Sequence, residues 1–428
     1  MPLGHQHNRP EQSGCPGRGH RRSGAVRRLA VLTAVSVLLT GCSVFGDDPQ
    51  PLKTVTIGLD SPLSGDLADA GLSIRNSVEL AVAKANEKHL VPGVRFELDP
   101  RDDAGDPARA KANAAALAAN PVVLGVVGPY SSSVALEMSP VLAEAGLAQV
   151  SPSNTLPGLT WGPDYRGKGK SRLCETYFRT VTTDAIQGPY LADLLRRSMQ
   201  VANAAVISDT KAYGKSLADE FAGEFEYTGG TVLLRRTVEP GATDFTALVE
   251  QIRSSKDQLV YYGGESPEAG RIAAQLAAAG VRIPVAGGDA MHSEEYLHLA
   301  GATASEGTLA TSAGIAIDNL ASAYAYVDAY TAAGYTVPHG PFGPYAYDSA
   351  WAWMLAVGSV VTRNDGVLPD QDLQKAVTSA LQKVTFLGVT GEVSFDKVGD
   401  NYNQSISLYK VENGKWTTLV SSGRWAGH

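Results

Sequence analysis

The sequence predicts an α/β protein built from two doubly wound parallel-sheet lobes, on three observations. Short apolar runs rich in β-branched residues alternate with amphipathic helical stretches, the pattern of parallel sheets covered on both faces. The alternation comes in two series, separated by an irregular segment, Ser151–Glu175, rich in Gly, Pro and Lys. The chain's 428 residues are also more than one core of ordinary size holds.

In the first series, Thr54–Leu59 reads as a strand. Gly71–His89 repeats Ile74, Val78, Ala81, Val82 and Ala85 at helical spacing. Val94–Leu98 is the next strand, and Asp106-Pro107 supplies an N-cap and a first-turn proline for an Ala-rich helix to Asn120. Val122–Val127 is a near-continuous apolar strand, a helix opens in Ser131-Ser132-Ser133, and Leu147–Val150 follows as a strand. The second series runs through strands Ala204–Ile207, Thr231–Val238, Leu259–Tyr262 and Pro284–Ala286. Helices Gly214–Tyr227, Asp244–Ser255 and Pro267–Ala279 lie between them. Long helices return at Leu320–Ala333 and Tyr345–Thr362, with strand-like segments at Glu392–Phe395 and Ser405–Val411.

The amino-terminal segment reads differently. A basic cluster (Arg21, Arg22, Arg27, Arg28) precedes the apolar run Leu29–Leu39 and then Leu39-Thr40-Gly41-Cys42. Eleven helical residues at 1.5 Å rise fall far short of a hydrocarbon layer about 30 Å thick, so this is an export signal and not a span. The cysteine after Thr-Gly resembles the lipobox of bacterial lipoproteins. That resemblance implies a signal peptide over 1–41, lipid on the Cys42 thiol, and a protein held on the extracytoplasmic face of a membrane. Residues 42–53, with Gly46, Asp47, Asp48, Pro49 and Pro51 and no apolar period, read as a tether.

Composition narrows the partners. The chain carries 36 Lys+Arg against 44 Asp+Glu. Residues 1–41 hold six of those arginines and one glutamate, leaving 30 basic and 43 acidic side chains, a net of about −13. An acidic body of this kind is unsuited to nucleic acid, which needs clustered Lys and Arg. Of the three cysteines, Cys15 lies in the signal and Cys42 is the lipid site, so Cys174 has no partner and reads as a small buried side chain.

In open parallel sheets ligands bind beyond the carboxyl ends of the strands. After Val122–Val127 come Gly128, Pro129, Tyr130 and three serines opening a helix, whose amides and hydroxyls suit a carboxylate. After Leu147–Val150 comes Ser151-Pro152-Ser153-Asn154-Thr155, and after Pro284–Ala286 comes Gly287-Gly288-Asp289. An anion site and a carboxylate on different lobes imply a zwitterion held between them.

The body from about Thr54 resembles the bacterial leucine/isoleucine/valine-binding protein family. The resemblance rests on Pro62-Leu63-Ser64-Gly65, Asp102-Asp103-Ala104, Gly128-Pro129-Tyr130, Gln187-Gly188-Pro189, Tyr213-Gly214, Val260-Tyr261-Tyr262-Gly263-Gly264 and Phe395-Asp396, in that order. It implies a type I periplasmic-binding-protein fold, a Venus-flytrap clamp with three hinge crossovers. Lobe 1 would be 54–181 with 311–388, and lobe 2 would be 182–310 with 389–428. The family implies a binding subunit that captures an amino acid or related small polar solute and delivers it to an ABC permease driven by an ATPase. Carried over residue by residue, Ser132 meets the ligand carboxylate and amino group, beside Tyr130. Asn154 offers a backbone carbonyl to the ammonium next to Thr155, Asp289 stands where the family has a longer glutamate, and Tyr213 and Phe342 line the side-chain pocket.

Two departures bear on the ligand. Glu265 occupies a tyrosine position, and Ala70 sits where the family carries a large aromatic. A second carboxylate in a closed cleft asks for a cation or donor. Together these imply a ligand larger and more polar than leucine, unless Glu265 faces solvent or pairs with an arginine of its lobe. Gly105 and Ser131 take the family's two disulfide positions. No Gly-x-Ser-x-Gly, Cys-x-x-Cys or His-x-x-x-His spacing occurs, so no enzyme, metal or cofactor is expected, and His292, His298 and His339 read as surface residues. A tethered sensor, or a receptor for amides, polyols or glycans, would share the fold.

Overall fold

The computed structural model describes residues 52–167, 171–369 and 371–425. The signal 1–41, Cys42 and the tether as far as residue 51 lie outside the described residues.

The first sheet is wholly parallel. Its strands are β1 (Lys53–Ser61), β2 (Val94–Asp102), β3 (Val123–Val127), β4 (Ala148–Ser151) and β5 (Tyr177–Arg179), in the order β2-β1-β3-β4-β5. All five β3 residues are buried, as a central strand covered on both faces requires. Helices Ala68–Glu87 and Gly343–Arg363 cover one face and Pro107–Ala118 and Ser132–Glu144 the other. The Asp106 carboxylate caps its helix by accepting from the Ala108 N–H at 2.8 Å, with Pro107 in the first turn. Trp353 packs so closely on β3 that a Cβ on Gly125 would lie 1.8 Å from the indole nitrogen.

The second sheet begins with β6 (Asn203–Asp209), β7 (Thr231–Val238), β8 (Val260–Gly263), β9 (Val285–Gly287) and β10 (Leu309–Ser312). The chain then returns to the first lobe for a hairpin, β11 (Thr385–Gly388) and β12 (Gly391–Ser394), before β13 (Ile406–Glu412) and β14 (Lys415–Gly423). The order is β14-β13-β10-β9-β8-β6-β7, and β13 and β14 run antiparallel. The second lobe is therefore a parallel sheet with an antiparallel edge.

Three details differ from the sequence reading. Helix Asp184–Asp193 was unexpected because Gly188-Pro189 sits inside it. Tertiary packing overrides that propensity, since Gly188 lets the helix approach the Phe221 backbone. The predicted helix Leu320–Ala333 begins only at Tyr324, after 3-10 turns at Ile317–Asn319 and Ala321–Ala323, where Ser322 bonds the Val389 carbonyl. Val393 and Phe395 pack in the first lobe's core, so the chain crosses back after Phe395, a few residues later than the family pattern implies. Cys174 is free and buried, and burial pushes its thiol up.

The chain passes between the sheets three times, at 180–183, 313–316 and 396–405. These crossovers are stitched together. The Thr182 N–H donates to the Ala313 carbonyl at 3.1 Å, and Asn401 Nδ2 donates to the Thr180 carbonyl at 2.8 Å. Arg179, fully buried, donates to Asp400 Oδ1 at 2.6 Å and to the Asn154 and Leu156 carbonyls at 2.9 Å.

Candidate functional site

The loops leaving β3, β4, β6, β8 and β9 converge between the lobes. Gly128 turns the chain out of β3 at a φ of +115°, where a Cβ would meet the Asp60 carbonyl at 2.1 Å. The loop after β4 is tied beneath it: Ser151 Oγ donates to the Pro129 carbonyl at 3.0 Å, and Asn154 Nδ2 to the Tyr130 carbonyl at 2.7 Å. Helix Ser132–Glu144 then opens without a side-chain cap from Ser131, leaving first-turn amides to meet an anion.

A narrow crevice of about 10 Å³ brings the two lobes face to face. Tyr130, Ser132 and Ser153 form one wall, Tyr213, Glu265 and Asp289 the other, and Phe342 closes it with its ring edge-on to Tyr130 (centroids 5.4 Å). Three of the residues singled out from sequence, Ser132, Glu265 and Asp289, are nearly inaccessible here. The lobes also touch directly. Ser133 Oγ accepts from the Ala212 N–H at 2.9 Å, and Tyr165 and Arg166 both reach Glu220 Oε1, at 2.6 and 2.5 Å.

The second wall carries the charge. Asp289 Oδ1 accepts from the Tyr213 hydroxyl at 2.7 Å and from Gln187 Nε2 at 3.0 Å, while Oδ2 is buried without a partner. Burial raises this carboxyl and those two hydrogen bonds oppose the rise. The shorter side chain is thus held in place by two donors. Burial likewise pushes Asp209 and Asp184 up to about 7. Glu265 is raised by burial, and Lys211, 3.0 Å away, pulls it back. The protein therefore answers Glu265 itself, with a lysine where the sequence reading named solvent or an arginine, and the Glu265 argument for a polar ligand lapses.

Asn154 and Thr155 stand behind the crevice instead of lining it. Asn154 is fully buried and its backbone carbonyl already accepts from Arg179. The Thr155 carbonyl accepts from the Asp184 N–H at 2.9 Å, and its hydroxyl neighbours the Asp184 carboxyl without closing a hydrogen bond. Ser153, one residue earlier, takes the lining position; the strand-end rule located the loop but not which residue faces inward. Lys211 and Gln187 were also missed, although Lys211 follows a strand end.

Beside the crevice lies a cavity of about 300 Å³, and Tyr130, Ala290 and Phe342 border both. Ala70 lines it, where a large aromatic would intrude. His292 and His339, read as surface residues, also line it. The His292 ring stacks on Tyr409 (3.7 Å) and meets the edge of Trp416 (5.2 Å), and burial, with His339 nearby, lowers its pKa to about 3. Among the described residues no group of three or more His, Cys, Asp or Glu has metal-site geometry, and no helix is long and apolar enough to cross a membrane.

The chain resembles known proteins over most of its length. A periplasmic binding protein family model matches residues 54–415. A Leu/Ile/Val-binding protein of Rhizobium johnstonii, BraC3, is 32% identical over 372 residues, covering 86% of this chain and 94% of the relative. The branched-chain amino acid substrate-binding protein LivJ of Streptococcus pneumoniae, solved with isoleucine, superposes at a TM-score of 0.75 with 25% identity, covering 87% of this chain and all of its own. The leucine-binding protein LivK of Thermotoga maritima superposes at 0.74 with 23% identity, covering 86% and 98%.

Proposed function

Because the chain belongs to the periplasmic binding protein family, we propose that it is the solute-capturing subunit of an ABC importer, taking an amino acid between its lobes. One observation carries the reading. Ser132, at an uncapped helix start on one lobe, and Asp289, with a free buried oxygen on the other, line one crevice. The helix amides and Ser132 receive the carboxylate, and Asp289 Oδ2 receives the ammonium, so the solute's two poles meet opposite walls. Tyr213 and Gln187 hold Asp289 in position.

Capture works by hinge closure. The crevice has room for about one water in this tight arrangement, so the lobes part to admit a head group and close on it less far than they do here. Each lobe supplies half the contacts, so the solute binds the closed state better and shifts the population toward it. The Ser133–Ala212 bond and the grip of Tyr165 and Arg166 on Glu220 hold the tight arrangement. A permease reads the closed shape, and the lipid on Cys42 keeps the body beside it.

Calorimetric titration of the full chain in detergent with a panel of L-amino acids tests the proposal. At least one is expected to bind, with affinity falling by more than tenfold in Ser132→Ala and in Asp289→Ala. A folded protein giving no heat with any amino acid contradicts it. Mass spectrometry of membrane-extracted protein is expected to find diacylglycerol on Cys42; an unmodified thiol there removes the anchor from the account.

A further inference from the structure

The cavity beside the crevice carries information about the rest of the solute, on the premise that the crevice holds an amino-acid head group. The two spaces share Tyr130, Ala290 and Phe342, so a head group in the crevice directs its side chain past Ala70 into the cavity. Two properties of the cavity decide what fits. Its volume, about 300 Å³, reaches the range of small-molecule sites by itself, and an isobutyl side chain fills only part of it. Four carboxylates, Asp69, Glu294, Glu295 and Asp318, line it from both lobes, and among the described residues no Lys or Arg does.

These acids differ from Glu265. That carboxylate has Lys211 at 3.0 Å, whereas no ion pair within 4 Å is formed among the described residues by Asp69, Glu294, Glu295 or Asp318. Burial pushes Glu295 up to about 7, repulsion from Asp69 and Asp66 adds to it, and Arg271 opposes it. Asp69, Glu294 and Asp318 are exposed and Glu295 is half-buried, so together they set a negative field over the cavity that a cation would relieve. Tyr409 and Trp416 line the same cavity, one face of Tyr409 being covered by the His292 ring, and aromatic rings favour a cation as well. His292, held neutral, lines the cavity with its Nδ1 buried and unpartnered, a ring nitrogen left to hydrogen-bond with the solute.

We propose that the solute is an amino acid whose long side chain ends in a cation, a guanidinium or an ammonium. Its head group is held by Ser132 and Asp289 and its far end by the acidic, aromatic cavity beyond Ala70.

Titration of the full chain with L-arginine, L-lysine, L-leucine and agmatine, which is arginine without its carboxylate, tests this. The better of arginine and lysine is expected to bind at least about tenfold more tightly than leucine, and agmatine more weakly than arginine. Glu295→Gln, which relieves repulsion and so preserves the fold, is expected to lower affinity for the cationic amino acid about tenfold more than for leucine. Leucine binding as tightly as arginine and lysine, or a Glu295→Gln effect equal for leucine and the cationic ligand, overturns the inference while leaving amino-acid capture standing. Failure of every amino acid to bind a folded protein removes the premise and the inference together.

Discussion

The crevice and the cavity sit side by side in one cleft and are built on opposite plans. The crevice is tight, about 10 Å³, and its key carboxylate is oriented by named donors, Tyr213 and Gln187. The cavity is some thirty times larger, about 300 Å³, and among the described residues no arginine or lysine joins the acids on its walls. On the function proposed above, the difference separates two tasks. Recognition of a head group common to all amino acids demands fixed, short-range geometry. Choice among side chains is made by volume and charge, which single substitutions such as an alanine at position 70 can reset.

The largest way to break this comparison is Asp289→Ala. It leaves Tyr213 and Gln187 without their acceptor and the ammonium without its partner, and should cost about 2–5 kcal/mol for every amino acid alike. Calorimetry across the panel checks that the loss is uniform; a loss confined to cationic ligands would place Asp289 in the wrong half of the cleft. Ala70→Trp attacks the other half. It refills the cavity, and affinity for long side chains should fall at least about tenfold while that for alanine changes little.

How far these two regions were legible in the sequence follows the same divide. Strand-end chemistry pointed to Ser132 and Asp289, because helix starts and Gly-Gly turns carry local signals. The α/β alternation located most strands, because buried parallel strands are continuous apolar runs. The cavity was nearly invisible: Asp69, Glu295, Tyr409 and Trp416 come from elements far apart in the chain, and no spacing connects them. Ala70 was noticed only through a family pattern. Glu265 was noticed for a reason the fold removes, since Lys211 reaches it from another strand end. Helix Asp184–Asp193 was hidden by a Gly-Pro pair that packing tolerates.

A smaller effect sharpens the contrast through pH. The Glu295 carboxyl is raised to about 7, so below that value it is protonated and cannot attract a cation. Affinity for L-arginine should therefore rise between pH 6 and pH 8, by less than about tenfold per unit, with Asp69, Asp66, Glu265 and Arg271 setting the local field. Titration at several pH values should show a much flatter profile for leucine.

Smallest for the cleft, but informative for its frame, is the buried pair Asp60 and Asp103 in the first lobe. Burial raises both, and their mutual charge raises Asp60 further. The folded state binds the shared proton more strongly than the unfolded chain, so this contribution to stability is full at low pH and is lost as pH rises through the folded values. Asp60→Asn removes the need for that proton while keeping a hydrogen-bonding side chain beside Asn113. It should raise the Tm at pH 8.5 relative to the parent and leave ligand affinity unchanged. A lowered Tm at that pH would show that Asp60 is ionised in the fold.

The most direct measurement is the electron density of L-arginine or L-lysine bound between the lobes. The account predicts an ammonium nitrogen about 3 Å from Asp289 Oδ2, a carboxylate on Ser132 and the helix amides beyond it, and a side chain running past Ala70 toward Glu295. Density for the amino acid with Ser132 and Asp289 facing no part of it would contradict the account.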